Sequence, residues 1–543
     1  MILMSDEKFD SLVREYFSEL LRMEPVYATY LGIHEYDGQL PKGTKSHFER
    51  KVALIQEFRE KLDEIKPEEL SREKRMDWRL AKHMAELELF KLEELRMWEK
   101  MTQVPDTVGE GLFLLLVRDF APLEKRLESI ASRLEQVPRY ESEYRETLSS
   151  PVKLWNEIQA ESASRLPTLF KIIESVAINS NLTALEKENI KEVSEAASEA
   201  IRGHAKWLYE EIISKSDQDF AIGREKLERL LKLRGIELTS DQILEIGESY
   251  LRRLKKVREE LARKIDPNMT ADEVLQKIKK FHPKDFREAI ERYQRAVKEA
   301  KRFVVEKGLA TIPEGEKLLV VETPPYLRHL FPFALYMPPA KFDPIKTGIY
   351  MVTPPEKKEL LREHNFPAIE NKTIHEGYPG HHLQMTCASL NPSPIRGLIE
   401  APEFIEGWAF YCEELVKDLG FHDDPVHRLI MVNDLIWRAA RIIVDVRLQR
   451  NEMTFEEAVE FLMRHTGMER DAAISEVRWY TMRPSYPLSY LLGKHLILEL
   501  KKELMDKLGE KFDLKEFHDI MLYAGSLPFK YMRELVIERL ASG

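Results

Sequence analysis

The residues best equipped for chemistry crowd into one short string, His375 to Gln384, which reads HEGYPGHHLQ. Three of the chain's 15 histidines and a glutamate fall within it. In the HExxH pattern of zinc proteases, histidines four residues apart stand about 40° apart on a helix turning about 100° per residue. Both then reach one ion while the intervening glutamate faces water. Here the second histidine comes later: on an ideal helix His381 would point about 120° away from His375, and His382 about 20° away but two turns on. Pro379 and Gly380 free the helix from ideality, because proline removes a backbone bond and glycine admits an extra bend. A bulge inside the helix, a feature often found at functional sites, would return His381 to the ion. The plain alternative is a loop of hydrogen-bonded histidines.

A catalytic zinc needs a third protein ligand and an open position. Ile405 to Glu414, IEGWAFYCEE, supplies acids on what reads as a facing helix. Glu406, Phe410 and Glu413 share one side of it, since residues three, four and seven apart do so. Glu406 is the expected third ligand, and Glu413 is expected to hold a ligating histidine in its tautomer. Tyr490 is the expected oxyanion donor, with His382 as a second choice. Arg483 is a candidate fork for a substrate carboxylate. Tyr350, in GIYMVT (Gly348 to Thr353), would lie beside the cleft if that segment offers a sheet edge to a substrate backbone. Its alternative is simple strand packing. Asp445 reads first as an in-helix partner of Arg441 four residues earlier, and otherwise as a support for a metal ligand. His34 reads as a turn or capping residue, and His422, His427, His465 and His495, without partners at ligand spacing, as structural.

These residues need a frame, and the rest of the chain describes one. It has 543 residues, 43% hydrophobic and 33% charged, with net charge −11. That is the balance of a soluble globular protein, and the negative charge opposes nucleic-acid binding, which depends on Lys/Arg neutralising phosphates. The most basic stretch, Leu251 to Lys264, reads as a solvated helix face. Two cysteines, Cys387 and Cys412, exclude a disulfide framework and suit buried thiols. With no leader-like start and no apolar run near membrane-spanning length, a cytoplasmic protein without membrane contact is expected. Abundant Glu, Lys and Arg suggest a thermophile's surface.

From Ser5 to about Ala310 apolar residues recur at helical spacing, as in Phe9, Leu12, Val13, Tyr16, Phe17, Leu20 and Leu21. Breaks are expected at Pro41 to Gly43, Pro67, Pro105, Pro151, Pro167 and Pro267. After Lys317 β-branched, aromatic and proline residues take over, predicting short strands up to Pro355. Helical rhythm then returns, ending with a helix around Tyr531 to Leu540. The fold class is therefore mainly α. One body is expected over 1–543: a helical part (1–310), a small β insert (311–355) just before the metal helix, and a helical metal-site part (356–543).

HEGYPGHHLQ followed by EGWAFY resembles a bacterial and archaeal family of domains of unknown function marked by HE-x-x-P-G-H-H and associated with metallopeptidases. PVYATYLGIHEYDG (Pro25 to Gly38), YMPPAKFDPIKTGIYMVT (Tyr336 to Thr353) and RPSYPLSYLLGK (Arg483 to Lys494) are similar to further motifs of that family, so the resemblance runs along nearly the whole chain. More distantly, the arrangement resembles gluzincin peptidases of the oligopeptidase and carboxypeptidase type. That likeness implies a zincin-like body around a substrate channel, with His375, His381 and Glu406 on zinc and Glu376 as general base. The Gly380-His381 step, seen in several such peptidases, is what favours His381 over His382. Where the family has P-G-Q-A-x-S-Y, this chain keeps Tyr490 but carries Tyr486 in place of the glutamine, which implies a changed substrate preference.

The function expected from these residues is zinc-dependent hydrolysis of short peptides, with one Zn²⁺ per chain and Glu376 accepting the water proton. A zinc hydrolase of a non-peptide amide or ester would use the same residues. A helical binding protein that keeps the fold without turnover is the third possibility. A second copy of the chain, in a homodimer, is kept as a candidate partner.

Overall fold

The computed structural model describes residues 2–323, 328, 334–355 and 357–541. Residues 324–327 and 329–333 of the expected β insert lie outside the described residues, as does residue 356. The protein is 73% helix and 4% strand, so mainly α with one small sheet. By contacts the chain divides into two compact units, one of Met1–Phe220 and Ala340–Pro344, the other of Ala221–Pro339 and Ile345–Gly543.

In the first unit the opening helix, Ile2–Met23, buries Phe9, Val13, Tyr16, Phe17, Leu20 and Leu21, the stripe that the spacing predicts. The expected breaks at Pro41 and Pro151 fall between helices, while Pro67, Pro105 and Pro167 sit in the first turns of theirs, where a missing amide donor costs nothing. Pro138 is tolerated inside the long helix Leu123–Thr147. His34 is indeed a turn residue: it bonds Asp37 at 2.9 Å and Asp343 at 3.2 Å and stacks on Phe120.

The second unit holds every candidate site residue. Its sheet has strands β1 (Lys317–Glu322), β2 (Ala334–Met337) and β3 (Thr347–Val352), in the order β1-β3-β2. β3 runs parallel to β1 and antiparallel to β2. It is thus the central strand, and the expectation that GIYMVT offers an edge to a substrate is wrong: both sides of its backbone are already paired.

Around the sheet lie the helices that carry the site. Phe366–Glu376 and His381–Ser389 bear the histidines, Pro402–Asp418 the acids, Pro425–Gln449 the arginines, and Ser489–Leu508 the last tyrosine. The acidic and tyrosine helices cross in backbone contact at Gly407 and Gly493, where a Cβ on either residue would strike the other helix. That close approach brings Tyr490 toward Glu406. Ser240–Ile265, which contains the basic stretch, buries Leu251, Leu254 and Leu261 and leaves its charges outside, packing Gly247 against Ile442 of the arginine helix. Cys387 and Cys412 are free, buried thiols. Among the described residues no helix is long and apolar enough to cross a membrane.

Candidate metal centre

Asn365 starts the first histidine helix, its side chain accepting from Ala368 N at 3.1 Å. The helix stops at Glu376 because Gly377 leaves helical space and Pro379 has no amide to donate. A new helix begins at His381. The bulge expected inside one helix is therefore a complete break, with the chain folded back on itself. Gly380 N donates to Ile374 O at 3.1 Å, and a Cβ at Gly380 would collide with the His375 carbonyl. Two side chains pin the fold-back: Trp408 donates to Pro379 O at 2.8 Å, and the Tyr378 hydroxyl to Glu316 at 2.5 Å.

The break does what a bulge was expected to do. One donor atom each from His375, His381 and Glu406 lies within 4.8 Å of the other two. His381 Nε2 is 3.5 Å from Glu406 Oε2. Ligands about 2.0–2.2 Å from a tetrahedral zinc lie roughly 3.3–3.5 Å apart, so this separation fits. The two imidazoles meet edge to face with centroids 4.7 Å apart. His375 Nδ1 bonds Glu413 Oε1 at 2.7 Å, which leaves Nε2 free for an ion, the arrangement expected of Glu413. Burial alone would lower the pKa of His375, but the Glu413 hydrogen bond and the charges of Glu376, Glu413 and Glu406 raise it. Burial likewise opposes ionisation of Glu406, yet His381, His375 and Tyr486 hold its pKa below the usual value. The cluster is a place where positive charge is stabilised.

Glu376 ends the helix immediately after His375; the hydroxyls of Tyr293, Tyr336 and Tyr350 have their pKa raised mainly by burial, with the charge of Glu376 adding to it. Tyr486 donates to Glu406 Oε1 at 3.2 Å, so its hydroxyl orients that carboxylate. Tyr490 is pushed up to about 12 by burial and by Glu406, against the pull of Arg441 and Arg438. It is therefore a neutral O–H donor at ordinary pH.

Other expectations fail on geometry. His382 is fully buried with both ring nitrogens engaged, Nε2 by Glu316 at 2.5 Å and Nδ1 by Tyr336 at 3.0 Å. It is neither a ligand nor an oxyanion donor, because no lone pair or N–H is left over. Tyr350 is 0% exposed on the central strand and cannot touch a substrate. Asp445 pairs with neither Arg441 nor a metal ligand. Arg441 instead bonds Glu476 at 2.8 Å and Tyr480 at 3.0 Å, while Asp445 accepts from the amides of Ser485 and Leu488, fixing the turn that carries Tyr486. Arg483 is exposed, with its guanidinium 5.9 Å from the Tyr486 ring.

Sequence reading passed over Glu316, Lys301 and Arg438. Glu316 takes bonds from Tyr378, His382 and Lys301, which outweigh its burial and hold its pKa near about 2. It fastens the sheet to the histidine loop, although nothing in its local sequence marks it. A second group, Glu370, His422 and His427, also gathers donor atoms within 4.8 Å, so the structural label given to His422 and His427 missed a partner on another helix. There Arg292 already holds one Glu370 oxygen, and His427 bonds the other at 2.5 Å.

A family profile described as "Bacterial protein of unknown function (DUF885)" matches residues 25–536. No curated protein matches. Two solved structures share the fold. One, a "putative lipoprotein of unknown function" from Shewanella oneidensis, is 24% identical with TM-score 0.81, covering 97% of this chain and 99% of that one. The other, a "putative lipoprotein" from Colwellia psychrerythraea, is 20% identical with TM-score 0.85, covering 99% and 100%. These names overturn the cytoplasmic expectation. A lipoprotein is held at a membrane by its acyl chains, an attachment that needs no apolar helix and that a search for spans does not register.

Proposed function

This chain belongs to the bacterial family of unknown function DUF885, and from that premise we propose that it is a metal-dependent hydrolase of short peptides, of gluzincin type with a widened gap between its histidines. The observation that carries this is the convergence of His375, His381 and Glu406, with the far nitrogen of His375 held by Glu413. Two imidazoles and one carboxylate form a zinc donor set, and three protein ligands leave the fourth position open for catalysis.

Zinc bound there would lower the pKa of a water toward about 7 and polarise a substrate carbonyl. Every other task falls to the chain. Glu413 keeps Nδ1 of His375 protonated and Nε2 bare. Tyr486 occupies Oε1 of Glu406 and turns Oε2 toward His381. Glu376, one residue beyond His375, takes the proton of the attacking water on its carboxylate and passes it to the departing amine. Tyr490 donates its hydroxyl hydrogen to the oxyanion that develops on the carbonyl oxygen. Oxygen from water joins the carbonyl carbon, the C–N bond breaks, and a carboxylic acid and an amine leave.

The test is elemental analysis of purified protein together with mass spectrometry of a mixed-peptide digest. One zinc per chain and new peptide ends are expected. Glu376→Gln should keep the zinc and lose at least about 10²-fold in kcat. Unchanged turnover in that variant would remove Glu376 from the base role, and a chain that binds no zinc and cleaves nothing after zinc is added would end the proposal.

A further inference from the structure

Arg438 is an anomaly beside the metal centre. Its Nε and Nη1 are both buried, and neither has a hydrogen-bond partner. Single Nε atoms of Arg258 and Arg292 share that state, but only Arg438 has two such nitrogens among the described residues, whereas Arg133 is met by carbonyls and Thr29, Arg234 by Ser485 and Ser489, and Arg441 by Glu476 and Tyr480. Around Arg438 are ring faces, with Trp437 at 3.9 Å, Phe410 at 5.0 Å and Tyr490 at 5.8 Å from its Cζ. Asp434, one turn back on the same helix, is felt electrostatically but forms no ion pair with it among the described residues. Two buried guanidinium nitrogens without an acceptor are costly to maintain, and an incoming anion would relieve that cost.

The position selects the anion. The Phe410 ring has the His375 imidazole at 4.7 Å and Arg438 at 5.0 Å. The guanidinium therefore lies within about 10 Å of the imidazole, a gap shorter than three extended residues at about 3.5 Å each. Tyr490, the oxyanion donor, touches the same group.

Resting on the hydrolase reading above, we propose that Arg438 is the anchor for the free α-carboxylate of a peptide substrate, so that the enzyme removes one or two residues from the carboxyl end. Either fork of the guanidinium, Nε with Nη2 or Nη1 with Nη2, can take a carboxylate in a planar pair. The aromatic walls exclude water and strengthen that pair. Arg438 displaces Arg483 from this role, because Arg483 is exposed and its charge is screened by solvent.

The zinc-loaded protein is given acetyl-Ala-Ala-Ala-Phe as the free acid and as its carboxamide. The acid should be cleaved about 100-fold faster in kcat/KM, releasing phenylalanine or Ala-Phe. Arg438→Met should slow the acid about 100-fold in kcat/KM and so erase its preference over the amide, and Arg438→Lys should restore part of it. Equal rates for acid and amide in the unaltered protein, or release of residues from the acetylated end, would overturn the anchor and leave the hydrolase standing. If neither peptide is cleaved, the anchor is judged separately from the hydrolase reading, by calorimetric titration of N-acetylphenylalanine into zinc-free protein. Binding that Arg438→Met weakens at least about 10-fold supports the anchor, whereas no binding, or equal binding by both proteins, overturns it.

Discussion

Two clusters of two histidines and a glutamate draw on one helix, Phe366–Glu376, and differ in what surrounds them. His375 joins His381 and Glu406; five residues earlier, Glu370 joins His422 and His427. Both bring donor atoms within 4.8 Å, and both have a carboxylate behind one imidazole, Glu413 behind His375 and Asp424 behind His427. Their electrostatics are opposite. A proton is a small test cation, and His375 binds it more tightly than usual because three carboxylates overcome burial. His422, by contrast, is pushed down to about 4 by burial and by His427, Lys417 and Arg292, and His427 is lowered by burial, Lys417 and Arg292 despite its bond to Asp424. Matching donor atoms are therefore not enough for a cation site. The sign of the surrounding field decides, and Arg292 already neutralises Glu370 in an ion pair.

The contrast breaks most sharply under metal counting. His381→Ala should lose the bound zinc altogether, while His427→Ala should keep one per chain; equal loss in both variants would mean that the two clusters are not different in kind. Next in size is Tyr490→Phe, expected to lower kcat by about 10²–10³ with KM little changed, because the hydroxyl acts on charge that appears only in the transition state. A change confined to KM would move Tyr490 to substrate binding. Glu413→Gln sharpens the comparison by weakening the support behind His375, and zinc affinity measured by competition with a chelator should fall about 10–100-fold. Its failure to change would leave Glu413 only a packing role.

The smallest effect is a pH dependence. Burial raises Asp445 to about 7 even though the Ser485 and Leu488 amides favour its ionised form. A carboxyl whose pKa is higher in the folded than in the unfolded chain contributes stability below the unfolded value near about 4, and that contribution is lost as pH rises to about 7. Melting temperatures of Asp445→Asn and the unaltered protein should therefore shift in favour of the variant between pH 4 and 7 and run parallel above it. A constant difference across that range would show that Asp445 ionises normally.

What was legible in the sequence was local. The stripe of Phe9, Val13, Tyr16 and Leu20 predicts its helix because side chains three and four residues apart share a face whatever the rest of the chain does. The β-branched run after Lys317 predicts strands for a similar local reason. His375, Glu406 and Glu413 could be picked out by residue type and spacing on two helices. The order β1-β3-β2 could not, since a strand's own composition does not say which neighbours will pair with it, so of the two readings of Tyr350 only the pairing decides for strand packing. Asp445 follows the same rule: Arg441, its neighbour at helical spacing, pairs with Glu476 from a different helix.

By its sequence alone this protein settled the mainly helical fold, the late small sheet and the residue types that a candidate cation site draws on, because periodicity and motif spacing are properties of short stretches of chain. Tertiary structure decided which histidine of the adjacent pair faces the site. Gly380 folds the loop back, Trp408 and Glu316 pin it, and His382 is drawn into the sheet's hydrogen bonds, so that His381 meets Glu406. It also decided that Arg438 stands unpaired beside the centre while Arg292 neutralises the neighbouring cluster. Charge acts through space, and the distances that govern it are set only when remote segments pack together.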